Sequence, residues 1–494
     1  MKLKVKNFNW LAGRPVVILN NETAKKLNVH VDDRVYLQFS RTKKIYAVVD
    51  IFQRVIKTGE IGLSHEISSF LKIKNHSYIE VSPSELFLAG KIIKKKISGE
   101  KLSEEEINTL ICEIVHNNLT EAEIAYFVAA EKLKGMSMKE IIDLTEAMVA
   151  NGNKLKFKER KVADKHCIGG IAGNRTTPIV VSICASAGLT LPKTSSKAIT
   201  SASGTADVIE TISKIEFTSG ELKKIVDKTG ASLAWGGALG LAPSDDKIIQ
   251  VERLLNLDVE PQLLASVMSK KIAAGSKYVL IDIPYGKGSK IETKERAELF
   301  GLKFKEISKH FHIKLDFVIT DGKQPIGNGV GPVLEMLDVL AVLQNKQDAP
   351  QDLRKKSLFL TSKLMKLCGI KNSEKKAQEI LDSGKAYAKF REIINAQNGK
   401  EHFDYKIKAL RPARLKKLIR AKKSGEIIEM NNKKINSVAR ILGTPETKGA
   451  GVYLHKHLGP VKRGEKLMTL YSESKIKLDD AQRFIREFKP VVIK

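Results

Sequence analysis

Long apolar runs are missing from this 494-residue chain. Nothing in it approaches the ~18 consecutive apolar residues that a spanning helix needs, which argues against a membrane protein. The start, MKLKVKNFNW, has no apolar segment of the signal-peptide kind. Cysteine occurs four times, at Cys112, Cys167, Cys184 and Cys368, with no CxxC pair and no regular spacing. That argues against a disulfide framework or a zinc ribbon and predicts a reducing cytoplasm. Aromatic residues make up 6% and do not interleave the two densest basic runs, KIIKKK (91–96) and RLKKLIRAKK (414–423). Acidic residues are outnumbered 56 to 85, which gives a net charge of +29. Such a charge first suggests nucleic acid. The lysines are spread along the chain, however, so nucleic acid is not expected as the main partner. A lysine-rich solvated surface that draws in small phosphorylated substrates fits better.

What is present is ordinary globular material: 42% hydrophobic and 29% charged residues. At about 150 residues per domain the length predicts roughly three domains. The first 86 residues read as β-rich, with PVVILN, DRVYLQF, KIYAVVDIF and YIEVSP between breaks. Asp32-Asp33 and Ser82-Pro83 mark turns. The pattern then changes. Ser103-x-x-Glu106, Thr120-x-x-Glu123 and Ser137-x-x-Glu140 are capping boxes opening three helices. Gly135 and Asn151-Gly152 end the second and third, and these capping residues are structural. From 155 to 345 strands alternate with helices. KVADKHC predicts a strand running into a Gly-rich loop, and TTPIVVSICASAG predicts a helix. KYVLIDIP (277–284) and KLDFVITD (314–321) are apolar enough for buried parallel strands. Residues 346–400 read as helical, and 405–494 as a small α+β unit with a last helix.

Four loops carry the chemistry. In Asp164-Lys165-His166-Cys167-Ile168-Gly169-Gly170-Ile171-Ala172-Gly173-Asn174-Arg175 a strand ends in a basic pair, and glycines then open a helix N-terminus. That combination suits a phosphate. It is neither a Walker loop nor a Rossmann fingerprint. The second, Lys193 to Asp207, mixes hydroxyls with two lysines and suits another anion. Read alone it would be a polar loop with an N-cap at Thr205. The third, Trp235 to Lys290, contains GGALGLAPSDD and Asp258. It also places Ser266 and Lys270 four apart on one helix face, with Lys271 read as surface decoration. The fourth is the wide Gly-rich loop ITDGKQPIGNGVGP (319–332).

DKHCIGG, KTSSKAITSASGTAD, VERLLNLDVEPQLLASVMSKK and GAGVYLH resemble the thymidine phosphorylase family of pyrimidine nucleoside phosphorylases. The nearer match is its long branch, which holds archaeal AMP phosphorylases and bacterial putative thymidine phosphorylases. The resemblance implies an α/β multidomain fold. A β-rich domain (1–86) would precede a helical domain (87–155, with a later helical segment near 245–275). A central α/β catalytic domain (156–404) and an α+β C-terminal domain (405–494) would follow. It implies phosphorolysis in a cleft between the helical and α/β domains, and a homodimer or larger homo-oligomer. Phosphate ligands would be Lys165, Cys167, Gly169, Gly170, Ser195 and Thr205. Many members have serine where Cys167 stands, a better donor. Ser196, Lys197, Ala198, Ile199, Thr200, Ser201, Ser266, Lys270 and Lys290 would hold the nucleoside or nucleotide. His166 would sit beside the base, and Asp258 would protonate it.

These roles are chemically consistent. Phosphate is a weak nucleophile that must be oriented against C1′. The leaving base is a poor anion, so an acid lowers the barrier. No step needs a metal or other cofactor. The first reading is phosphorolysis of a nucleoside 5′-monophosphate such as AMP. The second is a thymidine or uridine phosphorylase. Those enzymes carry an arginine at the position of Val251, and its loss weakens pyrimidine recognition. An anthranilate phosphoribosyltransferase would need a GTGGD-type loop that SASGTAD only half resembles. The reading from another class is an RNA-binding protein.

Overall fold

Period-two alternation near the N-terminus makes strands whose every second side chain turns inward. In the computed structural model six of them close into a barrel. They are β1 (Lys2–Asn7), β2 (Val16–Leu19), β3 (Arg34–Gln38), β4 (Lys44–Ile51), β5 (Glu60–Leu63) and β6 (Tyr78–Pro83), in the order β1-β5-β2-β4-β3-β6. Leu3, Val5, Val35, Leu37, Ile45, Ala47, Val49, Ile79 and Val81 fill the interior. Ser82-Pro83, expected as a turn, is instead the end of β6 opposite β3. Proline is tolerated at such a strand end. The structure describes the chain apart from residues 9, 41–42, 85–87, 158–160, 199–200, 256 and 400–402. The expected domain boundary at 86/87 therefore lies outside the described residues.

The chain divides into two units, 1–151 with 243–263 and 152–242 with 264–494. In the first, the three capping boxes open helices Glu104–Val115, Glu121–Lys134 and Met138–Ala150. The run 91–96 is part of a further helix, Leu88–Ile97, and its Lys96 is buried against Glu140 at 2.7 Å. Glu123 both caps its helix and receives Arg34 of β3, whose Nη1 donates to Oε1 at 2.6 Å. Helix Pro243–Leu255 returns to this unit. Its Lys247 Nζ donates to the carbonyls of Ile114 (2.8 Å) and Val115 (2.7 Å), closing the end of their helix. Burial pushes the Lys247 pKa down to about 8.

Glu131 is 1% exposed, and neither carboxyl oxygen has a hydrogen-bond partner among the described residues. Burial, then the charge of Glu252, raises its pKa well above the usual carboxylate range. The folded state therefore holds a proton that the unfolded chain has released. Stability contributed by this site falls as pH rises from the ordinary carboxylate pKa towards the folded one, by about 1.4 kcal/mol per pH unit. Glu131→Met removes that dependence. Thermal unfolding between pH 5 and pH 8 should show the variant gaining over the wild type as pH rises.

In the second unit three strands run parallel, in the order Lys314–Asp321, Tyr278–Tyr285, Ala163–Cys167. A second parallel pair, Leu191–Ser195 with Ala231–Trp235, is joined to them by a bridge from Val162 to Thr190. Tyr278–Tyr285 is central and buried, as its apolar run requires. Lys314–Asp321 is an edge strand and only half-buried, so the expectation of burial fails there. The helices Gln351–Leu367, Ser373–Asp382 and Lys385–Asn398 occupy the stretch expected to be helical. The tail forms two antiparallel sheets with helices Asn432–Leu442 and Lys475–Phe488. Among the described residues, no helix is long and apolar enough to cross a membrane.

Candidate active site

Every parallel strand of the second unit ends in one of the loops singled out above. Ligands of open parallel sheets bind at that edge. After Cys167 the chain turns through Gly169 (φ +91°) and Gly170 (φ +88°), a left-handed pair that favours glycine. A Cβ on Gly170 would lie 2.8 Å from the backbone nitrogen of Lys290, so the turn 286–290 presses directly on this loop.

Lys165 is 2% exposed, and its Nζ donates to Thr176 Oγ1 at 2.8 Å. Burial lowers its pKa, and nearby Cys167 and Asp282 pull it back up. Asp282 is buried beside Lys356 Nζ at 3.2 Å and accepts from Thr320 Oγ1 at 2.6 Å. Burial would raise its carboxyl pKa, but Lys356 and Lys165 hold it below the usual range. Cys167 remains a thiol, because burial and Asp282 push its pKa up. Its Sγ accepts from Asn174 Nδ2 at 3.3 Å.

Beneath the strand lies a buried ionic triad. Asp164 meets Lys193 Nζ at 2.9 Å and Lys271 Nζ at 2.6 Å. The reading of Lys271 as surface decoration is wrong, since it is 3% exposed. Its helix, Glu260–Ala273, turns that side chain towards a carboxylate far away in sequence. Burial lowers the Lys271 pKa to about 8 against the pull of Asp164. Burial, with the charges of Lys271, Lys193, Lys165 and Lys270, pushes the His166 pKa well below the usual imidazole value. The ring is therefore neutral at physiological pH.

The second loop is folded around Asp207, whose Oδ2 accepts from Ala198 N and Gly204 N, both at 2.7 Å. The N-cap of the following helix is Gly204, not Thr205 as expected. The Thr205 hydroxyl instead accepts from Arg175 Nη1 at 2.9 Å. Arg175 also donates to the Ser203 carbonyl at 3.0 Å and to Glu335 at 2.6 Å. Glu335 in turn takes a hydrogen bond from the Ser203 hydroxyl and one from Gly331 N at 2.9 Å. One buried ion pair thus joins the first, second and fourth loops. Lys197 lies over the Trp235 ring, 4.6 Å from its centroid, and pairs with Glu210 at 3.3 Å. In the fourth loop the Asp338 carboxylate accepts from Asn328 N and Gly329 N, both at 2.7 Å, and burial raises its pKa to about 7.

The second unit thus holds Lys165, His166, Cys167, Gly169, Gly170, Ser195, Ser196, Lys197, Ala198, Ser201, Thr205, Ser266, Lys270 and Lys290. Ser266 is buried. Ile199 and Thr200 lie outside the described residues. Asp258 belongs to the first unit, where its carbonyl accepts from Lys132 Nζ at 3.0 Å. Among the described residues no group of three or more His, Cys, Asp or Glu side chains could hold a metal ion.

Three family models match in chain order. They are a glycosyl transferase helical bundle domain over 90–152, a glycosyl transferase a/b domain over 159–387, and a pyrimidine nucleoside phosphorylase C-terminal domain over 427–489. AMP phosphorylase 1 of Archaeoglobus fulgidus is 39% identical over all of this chain and 97% of its own. The chain belongs to this family of glycosyl transferases. AMP phosphorylase of Pyrococcus furiosus, 41% identical over all of this chain and 98% of its own, is a further relative. The fold also resembles anthranilate phosphoribosyltransferase from Thermus thermophilus, at TM-score 0.51 and 17% identity, over 62% of this chain and 99% of that one. The family's α/β domain is the part that carries the buried Lys165 and the first two loops.

Several residues that build this site gave no signal in the sequence. Glu335, Lys356 and Asp282 stand outside any local pattern. Arg175 and Asp164 lie within the first motif, but their partners are far along the chain.

Proposed function

We propose that the enzyme is a phosphorolytic pentosyltransferase acting on nucleoside 5′-monophosphates, AMP first. Inorganic phosphate attacks C1′, the glycosidic bond breaks, its electron pair leaves with the base, and ribose 1,5-bisphosphate forms. The observation that carries this reading is Lys165. It is a buried ammonium group at the end of a parallel strand, beside two consecutive left-handed glycines. Among the described residues its Nζ donates once, to Thr176, which leaves protons for an anion. The similarity to AMP phosphorylases along the whole chain supports the nucleotide.

Phosphate held by Lys165 and the loop N–H groups would be oriented against C1′, and its charge would stabilise the cationic character that develops there. On the family resemblance the acid role is assigned to Asp258. His166 would then serve as a neutral hydrogen-bonding group beside the base. Ser195, Thr205 and the backbone of Cys167, Gly169 and Gly170 complete the phosphate ligands in this reading. The 5′-phosphate would lie along 196–201 with Lys290, and Ser266 and Lys270 would face the base. Val251 is 3% exposed in its helix and offers no cation for a pyrimidine ring. Assembly as a cytoplasmic homodimer or larger homo-oligomer is part of the same proposal, on the family resemblance.

The test is base release from AMP, CMP, UMP, thymidine and uridine, with and without inorganic phosphate. Release from monophosphates only, and only with phosphate, is the expected result. Release from thymidine or uridine alone would replace the nucleotide by a nucleoside, and silence on all five would end the phosphorylase reading. Asp258→Asn should lower kcat by about 10²- to 10⁴-fold and leave phosphate affinity unchanged. An unaltered kcat would remove Asp258 from the mechanism.

A further inference from the structure

One helix of the tail touches four of the loops that follow the parallel strands. Helix Asn432–Leu442 carries Asn432, Asn436 and Arg440 at successive intervals of four, hence on one stripe. Asn432 is fully buried. Its Oδ1 accepts from Ala172 N at 3.0 Å, and its Nδ2 donates to Gly322 O at 2.9 Å. A single side-chain amide thereby joins the Gly-rich loop after Cys167 to the loop after Asp321. One turn on, Asn436 Oδ1 accepts from Ala202 N at 3.0 Å, in the second anion loop. A further turn on, Arg440 Nε and Nη2 donate to Ser201 O at 3.2 and 3.0 Å. The residue that caps the helix, Asn431, lies 3.2 Å from where a Cβ on Gly288 would stand, against the turn 286–290. Lys287 of that turn pairs with Glu429 at 2.8 Å. Ala172 and Ala202 themselves sit in the tail's own hydrophobic core.

We propose that Asn432 and Asn436 are positioning residues that hold the two anion loops ready for phosphate. The proposal rests on the reading of those loops as the phosphate site. A loop containing left-handed glycines has many conformations, and backbone N–H groups bind an anion only when aimed together. A ligand that must first order the loops binds more weakly by the fraction of time the loops are competent. The asparagines supply that order from outside the site, without touching phosphate. Each combines an acceptor, and Asn432 also a donor, at a fixed reach from a rigid helix.

The test uses the full-length protein with Asn432→Leu, Asn436→Leu and the double variant, and Ser437→Ala as a control. The exposed Ser437 hydroxyl returns to the Lys433 carbonyl of its own helix. Phosphate binding by calorimetry is measured beside kcat and the KM for phosphate. The double variant is expected to raise both the Kd and the KM for phosphate at least about tenfold, with a smaller change in kcat and none for Ser437→Ala. If the double variant does not fold, Asn436→Leu alone carries the test, with at least about a threefold rise in KM. A folded variant with wild-type phosphate affinity would overturn the proposal. So would a fall in kcat with KM unmoved, which marks a smaller folded fraction rather than loosened loops. Failure of the phosphate reading itself shows separately, as a wild type that binds no phosphate, and it takes this proposal with it.

Discussion

Asp164→Asn should destabilise the second unit by about 3–5 kcal/mol, the usual range for breaking a buried charge pair from one side. Asp164 is 2% exposed and lies between Lys193 and Lys271, themselves 5% and 3% exposed. Removing its charge leaves two ammonium groups facing each other without a counter-ion in a medium that solvates them poorly. One or both must then release a proton, or the strand Ala163–Cys167 that carries Lys165 must open to admit water. Thermal and urea unfolding followed on the whole protein would check the value. A loss below about 1 kcal/mol would mean that solvent reaches the triad and that it acts like a surface pair. The wild type has a matching acid limit. Burial would raise the Asp164 pKa, but Lys193 and Lys271 hold it below the usual range. Its contribution is therefore complete above the ordinary carboxylate pKa and is lost as pH falls through the folded value.

Lys165→Met should lower kcat/KM for phosphate by about 10²- to 10³-fold, the scale for loss of one preorganised electrostatic group. Methionine keeps the length of the side chain and tolerates a buried site. The Thr176 hydroxyl loses its donor, and Asp282 keeps Lys356 as its counter-ion. The fold is therefore expected to survive, which an unchanged circular dichroism spectrum would confirm. Base release titrated with phosphate gives the effect. Rates within threefold of wild type would show that the loop N–H groups alone hold the anion.

Local patterns made the framework legible. The capping boxes at Ser103, Thr120 and Ser137 and the strand before Gly169 depend on neighbours within a few residues, and each stands where its sequence places it. The candidate ligands were legible for a different reason, as lysines, hydroxyls and glycines gathered at strand ends. What could not be read is how they are held. Lys271 looked like decoration because its partner Asp164 is remote in the chain, and helical spacing records nothing of a distant carboxylate. Glu335 has no motif, yet it ties Arg175 to Ser203 and Gly331. Thr205 fits the pattern of an N-cap, but the guanidinium of Arg175 takes its hydroxyl and Gly204 fills the cap.

The return of residues 243–263 to the first unit sets an order of events during synthesis. A nascent chain that has reached Asn151 has its barrel and helices but lacks Lys247, which closes the carbonyl end of helix Glu104–Val115. That end stays open on the ribosome until the whole of 152–242 has been made. The N-terminal unit therefore cannot be completed before residues 152–242 of the second unit have been made, and no single cut in the chain yields both units intact. A fragment ending at Asn151 should fray first at Ile114 and Val115, and a separate peptide spanning 243–263 should restore it.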